Sequence, residues 1–351
     1  MSPTATAAPA AATLATATAL DVSREAGKPA VLRAPSFAGI DPAIDWLTEQ
    51  RAAVKDELHR SGALLIRGLG VDDAADFGRV RDVLMPRRAG YKEKATPRTD
   101  FGEGVFSSTD LPAVQPIRLH NENSYTLDFP GTLLFGCVVA PTEDGATTVG
   151  DMREALRLLP ADLRDRFMAK GWLLTRNFSE LAGLPWQKSF ATEDPAVAEA
   201  YCRENAIGYE WLPDGALRTR QRRSAVVTHP VTGEKSWFNH FAFWNNRTLD
   251  PDVREVLLET YGDDGLPFDT YLGDGTRLTD DEVDAINEVY DRVTVRETWQ
   301  RGDVMLVDNV LNAHGRESFK GDRKILVAMG DPITLAECRP ETAPATTASG
   351  E

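Results

Sequence analysis

The chain has 351 residues, with 39 basic and 54 acidic side chains and a formal net charge of −15. Such an acidic chain displaces counterions from a phosphate backbone poorly, which excludes nucleic acid, and an anionic membrane surface with it, as the main partner. Apolar residues make up 42%, and no apolar run approaches the ~18–20 residues of a membrane helix, so the composition is that of a globular chain rather than a disordered or membrane-spanning one.

Residues 1–20 carry no charge and are mostly Ala and Thr. They lack the basic start and Leu-rich core of a secretory signal, and 1–28 reads as a disordered tail. The Pro/Thr/Ala-rich stretch 337–351 reads as a flexible C-terminal tail, leaving a single domain over 29–336. Apolar spacing predicts a helix over 44–61 that Gly62 can stop, a strand over 63–67 and a helix over 72–84. The segment 101–110 is Gly/Ser-rich and reads as a lid or as an idle surface loop. A continuous apolar run predicts a buried strand over 132–140, bounded by Gly131 and Pro141. Helices are expected over 151–159, 162–170, 194–205, 250–261 and 279–290. Strands are expected over 171–175, 209–212, 217–219, 225–228, 235–238, 293–298, 304–307 and 324–329. This order of short strands and helices predicts an α+β, mainly β architecture: an antiparallel sheet, closed or sandwiched, with surrounding helices and helical insertions. A doubly wound nucleotide fold is excluded by the lack of a Gly-rich first turn.

The three cysteines, Cys137, Cys202 and Cys338, are far apart. They match no zinc spacing and read as reduced thiols, which places the protein in the cytoplasm. There are five histidines. His59 reads as a solvated helix residue, and His229 and His240 as structural. His120 and Glu122 are two apart, so in extended backbone an imidazole and a carboxylate face one point. Near the other end, a buried strand leads to His314 and Arg316, and Arg323 opens the next strand. Two imidazoles and one carboxylate form the facial set that binds Fe(II) and leaves positions open. Arg323 could clamp a carboxylate bidentately.

On the segments 119–125, 145–147, 237–239, 308–309, 314–316 and 321–323, the chain resembles the taurine dioxygenase-like (TauD/TfdA) superfamily of Fe(II)/2-oxoglutarate-dependent oxygenases. It is most similar to the branch of clavaminate synthase-like and syringomycin-type amino-acid hydroxylases. The resemblance implies a double-stranded β-helix, a jelly roll with helices packed outside. It implies that His120, Glu122 and His314 are the iron ligands and catalytic centre. It further implies that Arg323 and Thr147 hold the far carboxylate of 2-oxoglutarate, with Arg316 as rival or helper, and that O2 is the third reactant. Val327 stands where sulfonate-specific relatives carry a second arginine, which weighs against a taurine-like substrate. Glu122 stands where iron halogenases carry a small residue, which favours hydroxylation.

The implied function is hydroxylation of an unactivated C–H in an amino acid or an amino-acid derivative, free or tethered to a carrier protein, in specialised metabolism. 2-Oxoglutarate would leave as succinate and CO2. The same cofactor chemistry could desaturate, epoxidise or cyclise, and a non-catalytic jelly-roll binding protein or a zinc hydrolase are the rival classes. For the substrate side, Asn121 and Asn123 flank Glu122, and Arg118 could meet a substrate carboxylate or sit in solvent. The aromatic stretch Trp237, Phe238, Phe241, Phe243 and Trp244 lines the mouth of the pocket or packs in the core. Oligomeric state is not legible.

Overall fold

In the computed structural model, the described residues are 19–90, 93–95, 98–179, 183–213 and 215–346. Two antiparallel-rich sheets form the centre. The larger runs in the order Val22–Ser23, Ala30–Arg33, Ala63–Arg67, Val304–Asp308, Asp128–Val139, Lys324–Thr334, Val105–Ser107. The smaller runs Thr294–Val295, Val149–Asp151, Asn312–Arg316, Ile117–His120. The chain passes from the large sheet to the small one through the turn between Asp308 and Asn312. The fold is the expected jelly roll with helices outside.

Side-chain alternation explains the layering. Along three adjacent long strands, Leu133, Phe135 and Cys137, Met305 and Val307, and Ile325, Val327 and Met329 point between the sheets. Leu134, Val304, Leu306, Leu326 and Ala328 point the other way, onto the helices Ile40–Ser61 and Ala74–Leu84. On the small sheet, Leu119 and Ala313 face a second core built by the helices Met152–Leu158, Ala161–Lys170 and Asp280–Val293. Their neighbours His120 and His314 are thereby turned inward. A third sheet, Gly208–Trp211, Leu217–Arg223, Trp172–Phe178 and Phe268–Leu272, is inserted beside this core.

Local signals account for many boundaries. The first long helix ends where expected: Gly62 adopts φ 72° and its N–H reaches the Leu58 carbonyl. Asp73 caps the next helix through the N–H groups of Ala75 and Asp76. Thr279 and Glu282 form a reciprocal capping box on the helix Asp280–Val293.

Several expectations need correction. Residues 1–18 and 347–351 of the two expected tails lie outside the described residues. The parts nearer the domain are ordered: Val22–Ser23 pairs with Val31–Leu32, and Lys28 pairs with Glu297. At the other end, Ala345 bridges Arg222 and Lys235 pairs with Glu341. Backbone pairing with a preformed sheet edge orders these segments despite their composition. The segment 101–110 is also no free lid, since Val105–Ser107 is the edge strand beside Leu326–Ala328. Among the described residues, no helix is long and apolar enough to cross a membrane.

One glycine marks a close approach of helix and sheet. A Cβ on Gly136 would lie 2.4 Å from the Phe77 ring. We expect Gly136→Val to cost about 1–3 kcal/mol by overpacking. A second substitution, Phe77→Leu, should recover part of that loss in urea unfolding.

Candidate functional site

The two candidate histidines are cross-strand partners. His314 pairs with His120 in the antiparallel ladder, and the ring centroids are 4.4 Å apart. Both rings lie between the sheets, where Phe135 of the large sheet packs 5.2 Å from His314. The ladder then shifts register between His314 and Arg316. A Cβ on Gly315 would meet the Ile117 carbonyl at 2.5 Å, so the irregularity needs a glycine there.

Glu122 comes from the turn after the His120 strand, and Asn309 holds that turn. The Glu122 N–H donates to Asn309 Oδ1 (2.7 Å), and Asn309 Nδ2 donates to the carbonyls of Glu122 (2.9 Å) and Pro130 (2.8 Å). Asn309 is placed in turn by Asp308, whose Oδ1 accepts from the N–H groups of Val310 and Leu311. Ligand atoms of His120, Glu122 and His314 all lie within 4.8 Å of one another. His120 Nδ1 sits 2.9 Å from the Arg118 carbonyl. A carbonyl only accepts, so Nδ1 carries the proton and Nε2 keeps its lone pair for a metal. Burial holds both imidazoles below their ordinary pKa, with Glu122 partly opposing this at His120. Neutral imidazoles and a carboxylate are the donor set that fits a divalent iron.

A second cluster, His59, His229 and Asp308, meets the same distance criterion. The two ring nitrogens of His229 are committed. His229 Nδ1 accepts from the N–H groups of Val231 and Thr232, so its Nε2 carries the proton and donates to Asp308 (3.1 Å). This cluster braces the turn that delivers His314.

Arg323 and Thr147 lie together on the cavity wall. Arg323 Nε donates to the Gly145 carbonyl (2.9 Å), and Nη2 lies 3.4 Å from Thr147 Oγ1. Thr147 also accepts from Trp299 Nε1 at 3.2 Å. No carboxylate among the described residues pairs with Arg323. Burial, and the charge of Arg316, hold its guanidinium down at about 10. A cation desolvated without an anion is the signature of an anion site. Arg316 lines the same cavity, but its terminal nitrogens donate to the carbonyls of Leu111, Pro112 and Gln115. It pins the loop that closes one side.

The substrate-side expectations divide. Asn123 lines the cavity. Asn121 does not: it is buried and donates to the carbonyls of Asn309 and Asn312. Arg118 is half exposed, pairs with Asp291 and does not line the cavity: two residues from His120 it would share that face by strict alternation, and the register shift between the His120 and Ile117 pairs breaks it. Phe238 packs with Phe129 in a core cluster, and Phe241 packs edge-on to Phe167. Of the expected stretch, Phe243 and Trp244 do line the cavity, and Tyr125 and His240 join them in its aromatic wall. His240 is bound to Ser124 (2.7 Å) and held well below its ordinary pKa by burial. Sequence reasoning also missed Arg98, whose Nη2 lies 3.0 Å from Glu122 Oε2. It precedes the motif by more than twenty residues in a stretch without periodicity, so no local signal marks it.

This jelly roll, with an inward His-x-Glu and distant His beside an arginine that no acid among the described residues pairs, defines the class of Fe(II)/2-oxoglutarate oxygenases. The chain belongs to the taurine catabolism dioxygenase TauD, TfdA family, whose sequence profile matches residues 27–329. It is 36% identical over 280 residues to the dapdiamide synthesis protein DdaC of Enterobacter agglomerans, covering 80% of this chain and 85% of that one. It is 27% identical over 321 residues to a clavaminate synthase-like protein of Arabidopsis thaliana, covering 86% and 93%. Among solved structures, it superposes on PvcB, an Fe, alpha-ketoglutarate dependent oxygenase from an isonitrile synthetic pathway. That match has a TM-score of 0.52 and 15% identity and covers 92% of this chain and 97% of that one. A taurine dioxygenase from Burkholderia xenovorans matches with a TM-score of 0.50 and 16% identity, covering 91% and 94%. The protein is an Fe(II)/2-oxoglutarate-dependent dioxygenase.

Asn309 gives a test of how the site is held. Replacing it with Leu leaves the Glu122 N–H and two carbonyls unpaired in a buried place. Asn309→Leu should cost about 2–4 kcal/mol in denaturant unfolding, and Asn309→Asp less, because it keeps the acceptor.

Proposed function

We propose that the enzyme hydroxylates an unactivated C–H of an amino acid or an amino-acid derivative in specialised metabolism. In this reading His120, Glu122 and His314 bind Fe(II), and Arg323 and Thr147 hold the far carboxylate of 2-oxoglutarate. Bound together, the metal and the keto acid supply activation of O2, with 2-oxoglutarate leaving as succinate and CO2. Everything else falls to the protein. The two imidazoles remain neutral and aimed, Asn309 keeps the Glu122 backbone in place, and the aromatic wall of Tyr125, Phe243 and Trp244 excludes water and positions the C–H.

The observation that carries this reading is the pairing of features in one cavity: three donors within reach of one ion, and a desolvated arginine that no carboxylate among the described residues matches. Its substrate class is supported by the likeness to a protein named for dapdiamide synthesis. Retention of Glu122 favours hydroxylation over halogenation, and the apolar Val327 weighs against a sulfonate. The three cysteines are buried free thiols, which suits the cytoplasm.

Succinate release tests it. Fe(II)-dependent turnover of 2-oxoglutarate should vanish in His314→Ala while the unfolding transition stays cooperative. Arg323→Ala should raise the 2-oxoglutarate requirement about 10–100-fold, the loss of a charge-assisted bidentate contact. The reverse pattern, with Arg316→Ala raising the requirement and Arg323→Ala leaving it alone, overturns the co-substrate assignment.

A further inference from the structure

His240 stands in the aromatic wall of the cavity and is 4% exposed. Three rings wedge it in place, with centroids 4.4 Å away for Trp244, 5.2 Å for Tyr125 and 5.6 Å for Phe243. Its Nδ1 lies 2.7 Å from Ser124 Oγ. Its Nε2 has no hydrogen-bond partner among the described residues, yet it is not one of the polar atoms sealed away from solvent without a partner. Nε2 therefore opens on the cavity. The ring of His120 is 5.2 Å away, but His240 is not one of the donors that gather with His120 around a single point. A polar atom on a side chain this buried, facing the cavity with nothing to bond, calls for a partner from outside, and the inference drawn from it rests on the oxygenase reading above.

The contact with Ser124 decides what Nε2 offers. Burial keeps the ring neutral, so one nitrogen carries a proton and the other a lone pair. Ser124 is 1% exposed, and its hydroxyl meets no acceptor other than His240 among the described residues. A proton on Nδ1 would point at Oγ and leave the hydroxyl proton buried and unpaired, which is costly. With the hydroxyl donating to Nδ1 the contact is complete, and the ring proton sits on Nε2. The cavity wall then presents a neutral N–H whose direction is fixed by the packed rings around it.

We propose that His240 donates from Nε2 to a carbonyl-type oxygen of the substrate, a carboxylate or an amide, and that Ser124 is the positioning residue that sets the tautomer. Apolar contact with Tyr125, Phe243 and Trp244 holds a substrate without orienting it. One fixed donor among those rings orients it, because a ligand that brings an apolar or ammonium group to this place leaves the N–H unpaired. The oxygen belongs to the substrate rather than to the far end of 2-oxoglutarate. The groups assigned to that end, Arg323 and Thr147, bond to each other and to Gly145 and Ser108, and not to His240.

Two measurements on the full chain test it. In isotope-labelled, metal-free protein, long-range proton–nitrogen NMR reports the tautomer of each of the five histidines, and His240→Gln identifies the signals of His240. His240 should carry its proton on Nε2, and Ser124→Ala should let a share of the Nδ1–H form appear. Binding is then read by calorimetry under argon, on protein loaded with Mn(II) and 2-oxoglutarate. The probes are the common amino acids and their N-acetyl forms, the matching amides, and the matching amines that have no carbonyl. At least one carbonyl compound should bind about tenfold more tightly than its amine. His240→Phe should cut that ratio about fivefold, as expected for loss of one neutral hydrogen bond, and His240→Gln, whose side-chain N–H takes the place of Nε2–H, should restore most of it. Tighter binding of the acid makes the oxygen a carboxylate, and tighter binding of the amide makes it an amide carbonyl. The inference is overturned if His240 carries its proton on Nδ1, if Ser124→Ala leaves the tautomer unchanged, or if the amines bind as well as the carbonyl compounds. It is overturned too if His240→Phe keeps the ratio or loses 2-oxoglutarate instead, if His240→Gln restores nothing, or if no probe binds protein that holds Mn(II) and 2-oxoglutarate. A wild-type protein that takes up neither overturns the assigned iron site itself, and this inference falls with it.

Discussion

The structure depends on one cross-strand pair. His120 and His314 are opposite each other in an antiparallel ladder, so their side chains leave the sheet on the same face and the backbone fixes their separation. A donor pair built this way needs no flexible loop to assemble it. The third donor, Glu122, comes from a turn and lacks that constraint. It is held by a side chain from the partner region, Asn309, whose amide both accepts from and donates to the Glu122 backbone. The Asp308–His229 contact braces the same turn from behind. The site is thus a consequence of how the chain crosses from the large sheet to the small one.

Electrostatics add a second layer. The cavity sits between apolar faces, so each charge in it is partly stripped of water. Neutral imidazoles tolerate that burial, and their lowered pKa reflects it. The guanidinium groups cannot shed their charge and must find anions. Glu122 serves one of them, main-chain carbonyls serve another, and Arg323 has no acid among the described residues. A protein that buries cations in this way is built around anions that arrive from outside.

Much of the fold was legible because apolar runs and caps are local. The strand Ala63–Arg67 and the stop at Gly62 were read with the right limits, and the buried strands Asp128–Val139, Val304–Asp308 and Lys324–Thr334 were found with shorter bounds, the first of them also running one residue too far, to 140. The strands Ile117–His120 and Asn312–Arg316 were not read as strands, since His, Asn, Gly and Arg are poor strand formers and only pairing makes them regular. Phe238 and Phe241 were candidates for the pocket mouth because composition cannot say which face of an aromatic stretch is inward. A helical turn over Phe241–Trp244 decides it, turning Phe243 and Trp244 to the cavity and Phe241 to the core.

By itself, the sequence determined the chemistry on offer: a His-x-Glu pair, a distant histidine after a buried strand, and an arginine entering the next strand that could clamp a carboxylate. Residue type and short spacing carry that information, because donor atoms and strand alternation are properties of neighbours along the chain. Which arginine meets Glu122, and which is left with no acid among the described residues, was decided only by the tertiary structure. Arg98, Glu122, Asn309 and Arg323 are far apart in sequence, and only the closing of two sheets over one cavity sets the distances on which their charges act.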